Sequence, residues 1–368
     1  MSIDTFTSGT RDTVGTTAAR DADTLWYTRC PLPTAFSVAV HTGLLASHLA
    51  PLGVAVASLR HSEDPKVRLS HFTHTWPGMM RQGGHIPPLW SRAEGRDVRL
   101  IGLSWTREAQ LVLALPESRI DSVAALKGKR LAVPRRRNFP IDFWRATVLK
   151  GFSDALATAD LSLADVTLVD IEVDTIPFTE RNSSTATISP PGTAYQTLSS
   201  QRAESRALLD GRVDAIFSPG HYGVALRAFI GANTVIDLTQ SVGKFRCVNN
   251  PSLLAFTVDG RFLDRHPQAV AAALEASLRA AEHARSHPLD VARIVAAESG
   301  NAEELVGEIF GSDFAADLAP KLSDDLIEAL TLQNHFLQRQ GFIPRTVPIE
   351  EWIAREPLQQ ARAKLAGA

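Results

Sequence analysis

Cysteine is scarce in this chain: two residues in 368, Cys30 and Cys247. That count excludes a disulfide framework, suits a reducing compartment, and leaves no cysteine–histidine spacing of the kind that holds structural zinc. Charge of one sign is lacking too. A formal net charge of −2 gives no field that would draw nucleic acid or an anionic membrane. No stretch approaches the ~20 apolar residues of a membrane span. Residues 1–23 are polar, rich in Thr, Ala and Asp, and lack the basic start and apolar run of a secretory leader. The expectations are a cytoplasmic chain, acting as a monomer on a small molecule, with no nucleic acid and no membrane as partner.

What is present reads as a layered α/β protein. A chain of 368 residues usually divides into two domains. Residues 1–23 read as a loosely attached arm. A short strand at 25–28 then delivers Cys30 to a loop fixed by Pro31 and Pro33, and Thr34 is placed to cap a helix over 35–49. Strands are expected at 54–59, 98–103 and 111–115, the last two with the Val/Ile/Leu texture of strands buried on both faces. Two later segments, around Gly128 and Gly211, repeat one pattern of helix, glycine turn and buried strand. The polar stretch 181–200 between them reads as a surface loop. Beyond residue 238 the chain turns mostly helical, with an Ala-rich helix over 267–286 and another from a Ser323 cap to Gly341. We expect two lobes with a ligand cleft between them: residues 24–115 with 240–368 in one, and 116–239 in the other.

The chemistry gathers early in the chain. Cys30 lies in Trp26-Tyr27-Thr28-Arg29-Cys30-Pro31-Leu32-Pro33, and further on come His71 and then Arg81-Gln82-Gly83-Gly84. A thiol on a loop is explained either by burial as a small hydrophobe or by reactivity. A cysteine, a histidine and an arginine followed by a glycine pair are parts for attacking an anionic substrate. A guanidinium fork can hold two oxygens of a compact anion at once, and a glycine lets the backbone approach closely with its N–H as a further donor.

Leu126-Lys127-Gly128-Lys129-Arg130-Leu131-Ala132-Val133 and Gly211-Arg212-Val213-Asp214-Ala215 resemble phrases of the type II periplasmic-binding-protein fold. A sharper resemblance is to the 2′-hydroxybiphenyl-2-sulfinate desulfinase family of dibenzothiophene desulfurisation. Its first block is Asp23-Thr24-Leu25-Trp26-Tyr27 through Cys30-Pro31-Leu32-Pro33. The second is His71-Phe72-Thr73, Pro77, Arg81, Gly83-Gly84 and Ile86-Pro87-Pro88-Leu89. Phe310-Gly311-Ser312-Asp313-Phe314 and Glu350-Glu351-Trp352 follow, so the match runs from about residue 21 to 358 and is weakest over 135–205. The resemblance implies a two-lobed α/β scaffold and an enzyme that cleaves the C–S bond of an aromatic sulfinate, releasing sulfite and the arene with no metal or organic cofactor. It places the catalytic cysteine on Cys30, the histidine on His71, the sulfinate-binding arginine on Arg81 and a backbone donor on Gly84, next to Gly83. For the apolar wall that an aryl group needs, Phe72, Trp76, Phe217 and Tyr222 are candidates.

Departures from the family pattern concern the substrate. Thr28-Arg29 stands where the characterised desulfinase has Ser-Asn, His74-Thr75-Trp76 replaces Tyr-Asp-Gln, and the two tryptophans that the family carries around 218–222 are missing. Other residues have plainer readings. Cys247 matches no motif and reads as buried. His71, His74 and His85 lack a carboxylate partner and make no persuasive metal site. The basic run Lys127, Lys129, Arg130, Arg135, Arg136, Arg137 reads as a solvated face. Trp90, Trp105 and Trp144 read as core or lobe packing. The rival to an enzyme is a solute-binding protein for sulfonates or aromatic anions on the same scaffold, which would use Arg81 but has no need of a thiol.

Overall fold

A computed structural model describes residues 23–174 and 201–367. The arm expected over residues 1–23 lies, except for Asp23, outside them, as does the polar stretch 181–200. Among the described residues the strands are β1 (Thr24–Arg29), β2 (Ala55–Ser58), β3 (Met79–Gly84), β4 (Val98–Trp105), β5 (Gln110–Ala114), β6 (Arg130–Arg135), β7 (Thr167–Glu172), β8 (Ile216–Pro219), β9 (Asn233–Asp237) and β10 (Leu253–Asp259). They form a five-stranded sheet in the first lobe and a three-stranded and a two-stranded ladder in the second.

The first sheet has the order β2-β1-β3-β10-β4, with β1 parallel to both its neighbours and β10 antiparallel to β3 and β4. Its central strands are covered on both faces, so they read as unbroken buried runs rather than alternating ones. In Leu253–Asp259 every residue but the last is buried. In the second lobe β5 lies between β8 and β9, antiparallel to both, and β6 pairs in parallel with β7. A parallel bridge from Leu131 to Ala215 joins the two ladders. The second lobe therefore reads β7-β6-β8-β5-β9, the same order and sense as the first lobe with one antiparallel strand in fourth place.

Strand β5 corrects the expected boundary. Its burial texture marks a core strand but does not say in which sheet, and it pairs with β8 and β9. The first crossing thus falls at residues 106–109 rather than near 116, and residues 110–115 go with the second lobe. The return crossing runs between β9 and β10. It is held by Asn249, whose Nδ2 donates to Gln110 Oε1 at 3.2 Å and to the Thr147 carbonyl at 3.0 Å.

Helices α1 (Ala35–His41), α2 (Leu44–Leu49), α3 (Pro65–Thr73), α4 (Ile86–Ala93) and α5 (Phe143–Ala157) follow the strands. Thr34 caps α1 as expected, its Oγ1 accepting from Ser37 N at 3.0 Å. The single helix expected over 35–49 is in fact two, bent by 84°. Gly43 sits at φ 77°, a left-handed turn that a side chain would resist, and restarts the chain in a new direction. The Ala-rich helix Pro267–Ser286 forms where expected and packs on α1, α2 and the helix Glu356–Ala366, closing one face of the first sheet. Among the described residues no single helix is long and apolar enough to cross a membrane.

Candidate active site

Strand register assembles the site. Parallel pairing sets Thr28 against Arg81 and Arg29 against Gln82, so Cys30 falls beside Gly83 at the carboxyl edge of the sheet. Cys30 N extends the ladder by donating to the Gln82 carbonyl at 3.1 Å, and Leu32 N closes a tight turn on the Cys30 carbonyl at 2.8 Å. Thr28, Cys30, Arg81 and Gly83 share one face because side chains alternate along a strand and registered partners point the same way. That edge of a parallel sheet is where open α/β folds bind their ligands.

Arg81 is 1% exposed although it lies in the middle of a sheet. Its Nη1 donates to the Gly84 carbonyl at 2.8 Å and its Nη2 to Cys30 Sγ at 3.4 Å, while Nε is buried with no partner. A buried cation on a central strand costs several kcal/mol unless it is compensated. Packing alone does not account for a guanidinium at that position. Gly83 is a glycine because the thiol occupies its side-chain space: a Cβ there would stand 2.3 Å from Cys30 Sγ. At Gly84 a Cβ would meet the Asn250 side chain at 2.5 Å. Asn250 in turn accepts from Ile86 N at 3.0 Å, fixing the start of α4.

His71 arrives from the last turn of α3. Asp64 caps that helix by accepting from Lys66 N at 2.8 Å, Pro65 opens it, and His74 ends it in the left-handed region at φ 51°. The His71 ring bonds through Nδ1 to Thr28 Oγ1 at 2.8 Å, which turns Nε2 toward Cys30 Sγ at 3.9 Å. Burial, with Arg81, Arg60 and His74 beside it, holds the imidazole well below its ordinary value of 6.5. The neutral imidazole is favoured there, with Nε2 facing the thiol. His74 and His85 do other work. His74 bonds Phe72 O at 3.1 Å and is pushed down to about 3 by burial. His85, held between Leu253 O and Gln333, is pushed down to about 4.

The four candidate wall rings do not stay together. Phe72 stands edge-on to His71 and stacks on Phe143, with ring centroids 4.9 and 5.5 Å apart, and Phe139 packs on it at 5.5 Å. Trp144 continues the row through Phe143 to Tyr222, 5.1 Å away. Phe72 comes from the first lobe and the others from the second, so the row spans the cleft. Trp76 is a correction: it packs edge-on against Trp26 in a small cluster with Leu59, Val67 and Met79. Phe217 is another, 1% exposed and wedged against Gly151 and Phe152 in the second core. Both are aromatic for packing, which a motif scan does not separate from a pocket wall.

One more correction follows. Arg136, taken for part of a solvated basic face, is buried, with its guanidinium 4.7 Å from the Trp144 ring and 4.0 Å from Glu204. Trp144 is buried in the core of the second lobe, as expected, where its ring also meets Phe143 and Tyr222. Arg29 turns toward the helix Pro288–Ser299. It donates to the buried Glu298 at 2.6 Å, which also binds His41 at 2.8 Å and Ser37 Oγ at 2.9 Å. Cys247 is buried as expected, and burial pushes its thiol up to about 11. Sequence reading missed Thr28, which the two-residue spacing from Cys30 on a strand could have revealed. It also missed Arg60, in the turn Leu59–His61 after β2, which lies within electrostatic reach of Cys30, His71 and Arg81. Only the pairing of β2 with β1 brings it there.

Two α/β lobes of matching topology, with a cysteine, a histidine and an arginine at the cleft edge of one sheet, define a binding-protein scaffold with a thiol, an imidazole and a guanidinium brought together. No family model matches the chain. It is 28% identical over 360 residues to the 2′-hydroxybiphenyl-2-sulfinate desulfinase of Rhodococcus erythropolis, covering 92% of this chain and 93% of that enzyme. Among solved structures it resembles the desulfurization enzyme DSZB, with a TM-score of 0.74 at 28% identity over 93% of this chain and 99% of that one. A cysteine-to-serine variant of that enzyme, in complex with biphenyl-2-sulfinic acid, superposes with the same TM-score at 25% identity. The alkanesulfonate-binding protein SsuA from Xanthomonas axonopodis pv. citri, bound to MOPS, matches at 19% identity with a TM-score of 0.61 over 90% of this chain and 98% of that one. That likeness concerns the fold, which is the two-lobed periplasmic-binding-protein type expected from the sequence.

Proposed function

We propose that this chain is a cysteine-dependent desulfinase that cleaves the C–S bond of an aryl sulfinate, taking up water and releasing the arene and bisulfite. The observation that carries the reading is Cys30 Sγ itself. It is held by Arg81 Nη2 and faced by a neutral imidazole whose orientation Thr28 fixes. The full-length likeness to the desulfinases supports it. A solute-binding protein for sulfonates would have use for Arg81 but none for that pairing.

The substrate's sulfinate would take the Arg81 fork, each charged hydrogen bond contributing about 1.5–3 kcal/mol. Its aryl group would lie along Phe72, Phe139 and Phe143. Two routes use these same groups. In one, the thiolate attacks sulfur, an S–S bond forms as the C–S bond breaks, the ring carbon takes a proton, and water then releases bisulfite from the cysteine. In the other, the Cys30 S–H proton goes to the ipso carbon, the C–S bond breaks to release SO2, and water hydrates it. His71 accepts or restores the proton in either. A sulfur adduct on Cys30, seen by intact mass after rapid quench, separates the first from the second.

The test is stoichiometry. With 2′-hydroxybiphenyl-2-sulfinate and biphenyl-2-sulfinate, bisulfite and arene should appear in equal amounts and at equal rates. Absence of both products with every aryl sulfinate offered, while the sulfinates still bind, would replace the enzyme by a binder.

A further inference from the structure

Matching topology gives each lobe a cleft edge. In the orders β2-β1-β3-β10-β4 and β7-β6-β8-β5-β9, strand β8 holds in the second lobe the place of β3 in the first. β3 ends in Gly83-Gly84 beside the thiol and runs on into α4. β8 runs on into the helix Gly220–Ile230, whose first turn carries His221 and Tyr222. The two carboxyl edges face each other: Phe72 of the first lobe stacks on Phe143 of the second, and Arg60 lies within electrostatic reach of both Cys30 and Tyr222. His221 thus stands on the second lobe's side of the cleft, at the strand end where open α/β folds bind ligands. It belongs to the segment 218–222 that lacks the family's two tryptophans.

The imidazole is held in one orientation. Glu108, fully buried in the crossing 106–109, accepts from His221 N at 2.9 Å and from the ring Nδ1 through the same Oε1. Gly220 presses the helix start onto that crossing: its N donates to the Ala109 carbonyl at 2.6 Å, and a Cβ on it would stand 2.9 Å from the Ala109 side chain. Asn301 donates to the His221 carbonyl at 2.9 Å, and Tyr222 packs on the ring with centroids 3.8 Å apart. The backbone bond to Glu108 already fastens the helix. The ring bond adds a choice of tautomer. A carboxylate only accepts, so Nδ1 carries the hydrogen and the neutral ring presents Nε2 as an acceptor. The His221 side chain is 10% exposed and that of Glu108 0%, so the open part of the ring lies away from Glu108, on the Nε2 side. Among the described residues nothing donates to Nε2.

We propose that His221, oriented by Glu108, is the residue with which the second lobe selects the substrate: its Nε2 accepts from a hydrogen-bond donor, in the simplest case a hydroxyl, that the aryl group carries away from the sulfinate. This rests on the desulfinase reading of the same site, in which Arg81 holds the sulfinate. Glu108 is then a positioning residue, and neither it nor His221 takes part in breaking the C–S bond.

The experiment measures kcat/KM, by bisulfite release, for 2′-hydroxy- and 4′-hydroxybiphenyl-2-sulfinate, their methoxy ethers and biphenyl-2-sulfinate, in the wild type, His221→Phe and Glu108→Gln. The ethers keep the oxygen and lose the donor. At least one hydroxy substrate should exceed both its ether and the unsubstituted compound roughly 10-fold, as one hydrogen bond allows. That ratio should fall toward one in His221→Phe, which keeps a ring without nitrogens. It should fall in part in Glu108→Gln, whose amide can hold either tautomer. The wild-type series needs no variant, so a misfolded substitution does not spoil the test. Hydroxy substrates no faster than their ethers and biphenyl-2-sulfinate overturn the inference while the desulfinase reading stands. A loss in His221→Phe shared equally by all substrates, with the ratio intact, marks a structural role and overturns it too. A ratio unchanged in Glu108→Gln overturns the positioning role of Glu108. If no sulfinate releases bisulfite, the desulfinase reading fails and this inference goes with it.

Discussion

Gly83→Ala is a steric probe of the thiol's position. Gly83 has no positive φ, so alanine can adopt its backbone without strain, and the added methyl is the whole perturbation. That methyl would stand 2.3 Å from Cys30 Sγ, 3.0 Å from Cys30 Cβ and 3.3 Å from Arg81 Nη2. The first contact is about 1.3 Å inside the ~3.6 Å at which non-bonded atoms sit comfortably. Strand β3 is buried along its whole length between β1 and β10 and cannot yield by that amount, so the thiol must. Moving Sγ by about 1 Å takes it off Arg81 and off the axis to His71 Nε2, a displacement that costs on the order of 10²-fold in rate. Overpacking should also cost about 1–3 kcal/mol of stability. The assay is steady-state bisulfite release alongside urea unfolding, with Gly307→Ala as control. Gly307 lies in the helix Glu303–Phe310 with open space where the methyl would go, and that substitution should leave kcat/KM alone. A folded Gly83→Ala variant with wild-type kcat/KM would refute the placement of the thiol.

Thr28→Val removes the hydroxyl that fixes His71 while keeping the shape; kcat should fall about 10-fold or more with KM little changed, and Thr28→Ser should recover most of it. A change confined to KM would contradict a positioning role. Because His71 is held well below 6.5, it stays neutral at pH 6.5 and gains a proton only at lower pH. The acid limb of kcat/KM should therefore lie well below 6.5, and a limb centred at 6.5 or higher would contradict the assignment. His85 is pushed down to about 4 in the folded chain from 6.5 unfolded. Its contribution is fully present above 6.5 and is lost as pH falls toward 4, amounting to about 3 kcal/mol. Urea unfolding at pH 7 and pH 4.5 should show that loss shrinking in His85→Gln, and an equal loss in both proteins would contradict it.

Reading from sequence went furthest where local chemistry decides. Thr34 as a cap, Gly211 as a turn and the helix from Pro267 to Ser286 depend on neighbours a few residues away, and all are found. The helix over 35–49 failed because its apolar run is continuous, while the break at Gly43 depends on one backbone angle. Strand β5 failed differently: buried strands in either lobe have the same texture, and only pairing with β8 and β9 assigns it. The site shows the same division. Cys30, His71 and Arg81 carry motif signals and meet. Trp76 and Phe217 were chosen by residue type, which does not tell a pocket wall from a core. Arg60, Arg136 and the ring row through Phe143 and Trp144 come together only through the approach of strands and lobes, a long-range property that spacing does not encode.

The central claim is that Cys30 reacts rather than merely packs. Wild type and Cys30→Ser should be compared on one aryl sulfinate, with turnover followed by bisulfite release and binding by calorimetry. The account predicts that the variant binds with an affinity near that of the wild type, since Arg81 remains, and releases no bisulfite. Turnover retained in Cys30→Ser would contradict it.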